Sequence, residues 1–352
     1  MAINLATKYS DKIAEMFTRA SFIRGKVSNA YDLTGVKTLK IYTPVTVPEG
    51  DYKRSGKDRY GEPVEMQDTV QEMTMTQDKS FSLTIDKGNN TDQMNIKAAG
   101  RMMQMQLREQ STPTADKYAF KKFAMYAGKV LTVNSKPIKS NIVSTIFDMG
   151  QAMDDALVPE DNRYLYMTAE MYKLVCTSDE FIAIDKLGEK SISRGECGDI
   201  DNFRVVKVPA GYLPANCFML ATYKQSVIMP YKIQDTKIHK DPPGLSGDLL
   251  EGRHYYDAFV IGAKAMGVVA LVLASEKQAA PTVSISSHKV TPTSASAERI
   301  LYTLDGSDPR YSDSAQVVTG EITTENGQMI RAVAFGANGK FTSDVAEATD
   351  TD

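Results

Sequence analysis

Residues 157–172 read Leu157-Val158-Pro159-Glu160-Asp161-Asn162-Arg163-Tyr164-Leu165-Tyr166-Met167-Thr168-Ala169-Glu170-Met171-Tyr172. Pro159 to Asn162 supplies a turn, because proline fixes φ and Asp and Asn side chains bond nearby backbone. Tyr164 to Met167 is a short apolar run of strand length. Thr168 stands where a hydroxyl can cap a helix running from Ala169 to Val175. Turn, strand and capped helix here, set among the elements on either side, fit an α+β body of mixed order rather than regular βαβ repeats.

The same order extends in both directions. Upstream, a helix is expected from Ser140 to about Ala156, with Ile142, Ile146, Met149 and Met153 on one face. Earlier, Asn89-Asn90-Thr91-Asp92 reads as an N-cap cluster opening a long helix to about Ser111. At 1.5 Å per residue such a helix spans roughly 30 Å. Pro113 is expected to stop it, and a second helix then runs from Thr114 to Ala127, ended by Gly128. Leu39–Ile41 and Phe81–Ile85 alternate with period two and read as strands. The charged stretch Asp51 to Gly61 between them reads as the tip of a projecting hairpin. Residues 1–35 read as a polar arm with one short amphipathic helix near Tyr9 to Arg19. Downstream, strands are expected at Phe203–Val208, Cys217–Ala221, Ser226–Met229 and Gly267–Leu273.

The texture changes at residues 275–282. Beyond that point Thr, Ser and Val alternate, turns are frequent and no helical period remains. Residues 279–352 carry five basic and ten acidic side chains, a net of −5, which leaves 36 basic against 34 acidic in the preceding part. The main body is therefore nearly neutral and the tail acidic. No run of about 18 apolar residues is present to span a membrane. Met1-Ala2-Ile3-Asn4 lacks a basic region followed by an apolar stretch, so no signal peptide is expected.

The residues that carry chemistry are sparse. Cys176, Cys197 and Cys217 form no C-x-x-C pair and read as reduced thiols. His239, His254 and His288 lie far apart, which disfavours a zinc site. No P-loop, G-x-S-x-G, H-E-x-x-H or G-x-G-x-x-G occurs, and no catalytic residue, metal site or cofactor is expected. Asp305-Gly306-Ser307-Asp308-Pro309 lacks the ligand spacing of an EF-hand and reads as a tight turn. Lys53, Arg54, Lys57 and Arg59 could neutralise phosphates. With Asp51, Asp58 and Glu62 interleaved, they read better as a solvated tip that pairs with acidic groups on another subunit.

Polar arm, charged hairpin, long helix and mixed body, in that order, resemble the tailed-bacteriophage major capsid fold of the Hong Kong 97 type. Three stretches carry the resemblance: Leu157 to Tyr172; Gly198-Asp199-Ile200-Asp201-Asn202-Phe203-Arg204-Val205-Val206-Lys207-Val208-Pro209; and Leu250-Glu251-Gly252-Arg253-His254-Tyr255-Tyr256-Asp257-Ala258-Phe259-Val260. Ile300-Leu301-Tyr302-Thr303-Leu304-Asp305-Gly306-Ser307-Asp308-Pro309 resembles the chitobiase C-terminal type of immunoglobulin-like module, with Tyr302, Asp305, Gly306, Asp308 and Pro309 in its structural turn. That module transfers no hydrolase activity.

The resemblance implies an α+β capsid domain over 1–275. It divides into an arm (1–35), an extended hairpin (36–90), a spine helix with peripheral region (91–140) and an axial domain with return strands (141–275). A linker (276–282) and an outward-facing all-β immunoglobulin-like sandwich (283–352) follow. It further implies hexamers and pentamers of an icosahedral shell assembled in a bacterial cytoplasm, with double-stranded DNA inside, contacted without sequence preference. Lys53, Arg54, Lys57 and Arg59 would lie at an intersubunit contact. A separate scaffolding protein, a portal and decoration proteins are the expected partners, and no membrane is. The hairpin and arm are expected to move between a precursor and an expanded shell. Deleting residues 280–352 is expected to leave assembly intact. Two alternatives are an encapsulin-like bacterial shell and a secreted carbohydrate-binding protein.

Overall fold

The computed structural model describes residues 21–351, apart from 32–37, 47–48, 56, 58, 62–64, 93–96 and 179–198. The amphipathic arm helix expected near Tyr9 to Arg19 lies outside the described residues. In chain order the body contains β1 (Thr38–Pro44), β2 (Asp68–Thr74), β3 (Gln77–Asp86), α1 (Lys87–Asp92), α2 (Ala99–Gln106) and α3 (Thr112–Met125). Next come β4 (Lys129–Val133), α4 (Ile142–Asp154), β5 (Arg163–Thr168), α5 (Ala169–Cys176), β6 (Asp199–Ile200), β7 (Phe203–Val208) and β8 (Cys217–Tyr223). It closes with β9 (Val227–Ile228), β10 (Tyr231–Lys240), β11 (Gly247–Tyr256), β12 (Phe259–Val260) and β13 (Val268–Leu273).

The centre is a mixed sheet with the order β4-β13-β8-β5-β7-β6. The run Val268-Val269-Ala270-Leu271-Val272 of β13 is buried on both faces, and its side chains alternate between two cores. Val268, Ala270 and Val272 face α3, with Ala119, Phe120, Phe123 and Ala124, and the incoming arm residues Phe22, Ile23 and Val27. Val269 and Leu271 face α4 and α5, with Ile142, Ile146, Met149, Met153, Met171 and Val175. Each such side chain, fully buried, contributes about 1.5–3 kcal/mol. The expected apolar face of α4 is thus present, and Thr168 caps α5 by accepting the Met171 N–H. Between β6 and β7, Asp201 and Asn202 both adopt positive φ, 49° and 61°, the conformation of a two-residue hairpin turn.

Three expectations are corrected. The helix does not stop at Pro113. Residues 107–111 form a π turn in which the Thr112 N–H reaches back to Leu107 O, and α3 follows with the proline in its first turn. A proline lacks the donor that a regular helix needs there, and a wider turn takes up the missing bond. Asn89 to Asp92 lie inside α1 rather than capping it; Asp86 accepts the Asn89 N–H instead. Finally, Phe81–Ile85 is not the return strand of the hairpin. β1 pairs with β2, from Thr38 opposite Thr74 to Pro44 opposite Asp68, and β3 joins a separate sheet, β10-β11-β3. The segment Val64 to Thr74 has too few regularly spaced apolar residues to advertise a strand.

Cys176 is held in a disulfide, which corrects the reading of all three cysteines as reduced thiols. An odd count and irregular spacing hide a pairing that only folding brings about. Cys217 is a buried free thiol, pushed up to about 12 by desolvation.

Asp257, at 0% exposure, ties the body together. Its carboxylate accepts from the Thr76 N–H and hydroxyl, both at 2.8 Å, from the Tyr118 hydroxyl at 2.8 Å and from the Ala258 N–H at 2.7 Å. Those groups belong to the β2–β3 connection, to α3 and to the corner after β11. Asp257→Ala strands a backbone donor and a tyrosine hydroxyl. It is expected to cost on the order of 3 kcal/mol, read as a lower urea midpoint in equilibrium unfolding.

Candidate functional site

Among the described residues no group of His, Cys, Asp and Glu could hold a metal ion, and no helix is long and apolar enough to cross a membrane. The features that stand out are surfaces. The first is the β1–β2 hairpin, which pairs with no other strand among the described residues. A two-stranded ribbon is marginal alone in water. Here its root is packed: Ile41 and Met73 are buried against Ile228 and Ile261. Its outer part is not, and Tyr42, Tyr52, Tyr60 and Met66 stand exposed, Tyr60 at 93%.

At the tip the Lys53 N–H donates to Arg59 O at 3.0 Å, closing the loop. The rings of Tyr52 and Tyr60 meet edge to face with centroids 5.0 Å apart. Lys53, Arg54, Lys57 and Arg59 are all exposed around this pair, so the four expected residues do share one tip. What the sequence reading undervalued is the aromatic clasp between them, whose signal was two tyrosines flanking the charged run.

The second feature is the tail. It contains β14 (Ile285–Ser286), β15 (Lys289–Val290), β16 (Ala297–Thr303), β17 (Gln316–Val317), β18 (Ile322–Thr323), β19 (Met329–Gly336) and β20 (Ala346–Thr349). These form two antiparallel sheets, β14-β15-β18 and β17-β16-β19-β20, around Val290, Ile322 and Ile330. In the quoted turn, Tyr302 donates to Gln316 at 2.8 Å and Gly306 has φ 74°, which favours glycine. Asp305 accepts from Ser307 N–H at 2.9 Å and from the Ser314 hydroxyl at 2.6 Å. Partial burial works to raise the Asp305 carboxyl, yet the bonds from Ser307 and Ser314 hold it below its ordinary value. Pro309 is buried, and Asp308 accepts from Arg310 Nη2 at 2.6 Å.

Lys277 and Gln278, within the expected linker 276–282, bond to both the body and the tail. Gln278 N–H donates to Phe341 O, and Lys277 Nζ donates to Val130 O and pairs with Asp344. Tyr311 and Phe341 belong to the same apolar cluster as α3 and β13. Arg310 and Tyr311, which direct these contacts, were missed because they follow the turn pattern and match no periodicity.

No family model matches the sequence, and no curated protein does. Solved structures do. A structure titled for Mycobacterium phage Che8 superposes with a TM-score of 0.65 at 18% identity, covering 77% of this chain and 98% of that one. The capsid structure of cyanophage P-SCSP1u gives 0.63 at 13%, covering 77% and 93%. The asymmetric unit of the mature capsid of bacteriophage PhiM1 gives 0.62 at 14%, covering 77% and 92%. Over about three quarters of its length the chain therefore has the fold of these phage structures, two of which are titled as capsids.

Because Asp305 is depressed, the stability it lends the tail is fully present above 3.8, its unfolded value, and is lost as pH falls through the lower folded value. Thermal unfolding of Asp305→Asn should depend less on pH below 3.8 than that of the parent chain. Equal slopes would refute the role given to the turn.

Proposed function

We propose that this chain is the major capsid protein of a tailed bacteriophage, which assembles into hexamers and pentamers of an icosahedral shell around double-stranded DNA. One observation carries the reading: phage chains, two of them titled as capsids, are matched over 92–98% of their own length, which supports a counterpart here for most of their architecture. The share of this chain left uncovered, about a quarter, is the size of residues 276–352 and supports a capsid domain with an added immunoglobulin-like tail.

The physical form suits repeated association. Shells close when one surface repeats around local symmetry axes. A ribbon that cannot bury its outer half within its own subunit gains by lying on a neighbour. Apolar burial contributes about 25 cal/mol per Å². The tip ion pairs add at most about 1 kcal/mol each, so they set register more than strength. On this reading Lys53, Arg54, Lys57 and Arg59 face acidic groups of an adjacent subunit, and a separate scaffolding protein sets the curvature. The net −5 of the tail favours an outward position, away from packaged phosphates. A glycan-binding role for the tail has less support, since Val317 is the one large apolar side chain exposed there among the described residues.

Electron microscopy of the full-length chain, expressed alone and with its scaffolding protein, tests the proposal. Closed shells holding DNA in infected cells are expected. A chain that stays monomeric under both conditions overturns it, and shells that hold a host enzyme in place of DNA favour an encapsulin-like role. Lys53→Glu with Lys57→Glu should lower the yield of shells severalfold without moving the melting temperature of the unassembled chain. An unchanged yield would remove the tip from the interface.

A further inference from the structure

We infer that the tail is a brace for the projecting hairpin: residues 308–313 clamp the root of β2 to the end of α3 and so set the direction in which the hairpin leaves the body. The inference begins with an arginine. Arg310 has a side chain only 6% exposed, and it reaches out of the tail into the body. Its guanidinium donates to Ala127 O at 2.8 Å and to Gly128 O at 3.2 Å. These carbonyls lie just past the last turn of α3, where a helix leaves acceptors unpaired and carries partial negative charge. Asp308, in the tail's own turn, holds the guanidinium from the other side. The next residue continues the grip, for the Tyr311 hydroxyl donates to Tyr126 O at 2.6 Å. Thr342 adds a bond to Met125 O at 3.1 Å. Four successive carbonyls at the α3 end, from Met125 to Gly128, are thus taken up by tail side chains.

The same six residues then touch the hairpin. The Tyr311 side chain lies on Gly262 so closely that a Cβ there would stand 2.6 Å from its own Cβ. Gly262 is in turn bound to β2: its N–H donates to Gln71 Oε1 at 2.7 Å, while Gln71 Nε2 donates to Val260 O at 2.8 Å. Two residues on, the Asp313 N–H donates to Val70 O at 2.9 Å. Its carboxylate meets Lys40 of β1 at 3.4 Å, and Lys40 also meets Glu72 at 3.4 Å. Thr43, Thr69 and Arg331 line the cleft that remains between tail and hairpin.

Among the described residues the hairpin has no third strand to hold its angle, so its root contacts decide it. One set, Ile41 and Met73 on Ile228 and Ile261, is apolar and tolerates rotation. The other set is directional: the two bonds joining Gln71 to Gly262 and Val260 come from the body, and the Asp313 N–H bond to Val70 O with the Lys40–Asp313 ion pair comes from the tail. Removing the tail would therefore free the hairpin as well as expose Tyr126 O, Ala127 O and Gly128 O. This reverses the expectation that residues 280–352 are dispensable. The brace is a property of a single chain and does not depend on the capsid reading; only its effect on shell geometry does.

Hydrogen exchange by mass spectrometry on the unassembled full-length chain tests it. In Arg310→Ala with Tyr311→Ala, amides of 38–44 and 68–74 are expected to exchange about tenfold faster, with the core strands 268–273 and 329–336 unchanged. Gly262→Ala, which keeps every tail side chain and sets a Cβ 2.6 Å from Tyr311 Cβ and 3.3 Å from Gln71 Oε1, should give the same pattern. Lys40→Ala with Asp313→Ala should give a smaller rise confined to the hairpin, and serves if the first variant fails to fold. Unchanged exchange in 38–44 and 68–74, while peptides covering 305–315 lose protection, would overturn the brace. Microscopy of the parent chain decides the capsid reading independently, so the two can fail separately.

Discussion

One buried carboxylate sets the geometry of the body. Asp257 receives hydrogen bonds from segments that lie far apart in the chain, and each would be misplaced without it. The backbone at Thr76, where β2 gives way to β3, is fixed on one side. Tyr118 on α3 is fixed on another. The corner after β11 is fixed on the third. Burying an ionised or strongly polar group is costly unless its acceptor sites are filled. The cost is met here by four donors, two from Thr76 and one each from Tyr118 and Ala258, and that arrangement specifies one relative placement of hairpin, long helix and sheet. Apolar packing alone would specify it less sharply, since hydrophobic burial has no direction.

The central sheet adds the second constraint. A strand buried on both faces needs cover on both, and the chain supplies it from unlike sources: α4 and α5 on one side, α3 with the arm residues Phe22, Ile23 and Val27 on the other. The arm is tied down there by Asp116, which accepts from the Phe22 N–H and the Ser21 hydroxyl. The tail joins this same side through Tyr311 and Phe341. Core, arm and tail consequently share one apolar cluster, and the boundary that composition marks near residue 278 is not a mechanical boundary.

How much of this was legible from the sequence follows from the kind of signal each element carries. The stretch from Leu157 to Tyr172 was readable because its turn, strand and cap each follow from local preferences. The face of α4 was readable because burial imposes a period on it. The return strand β2 was not, since only Met73 of it is fully buried and its pairing with β1 is a long-range event. The π turn at Leu107 to Ser111 escaped because a proline in a helical run reads as a stop, whereas here it sits in the first turn of the helix that continues beyond the π turn. The candidate tip residues were legible as a charged loop, yet their clasp by Tyr52 and Tyr60 was not. Arg310 had little signal: beyond Asp308 two residues away, its partners are backbone carbonyls, which no residue type announces.

The π turn has an effect on phase. One extra residue in a helix of 3.6 residues per turn rotates everything beyond it by about 100°. Ahead of the turn, Met103 looks toward Ile85 and Leu250 in the sheet of β3 and β11. Beyond it, Ala119, Phe120 and Phe123 look toward the central sheet. A contiguous helical run from Ala99 to Met125 therefore serves two sheets, and it does so without an intervening loop. What a reader of hydrophobic periods would count as a slip in the pattern is the means by which one helix addresses two partners.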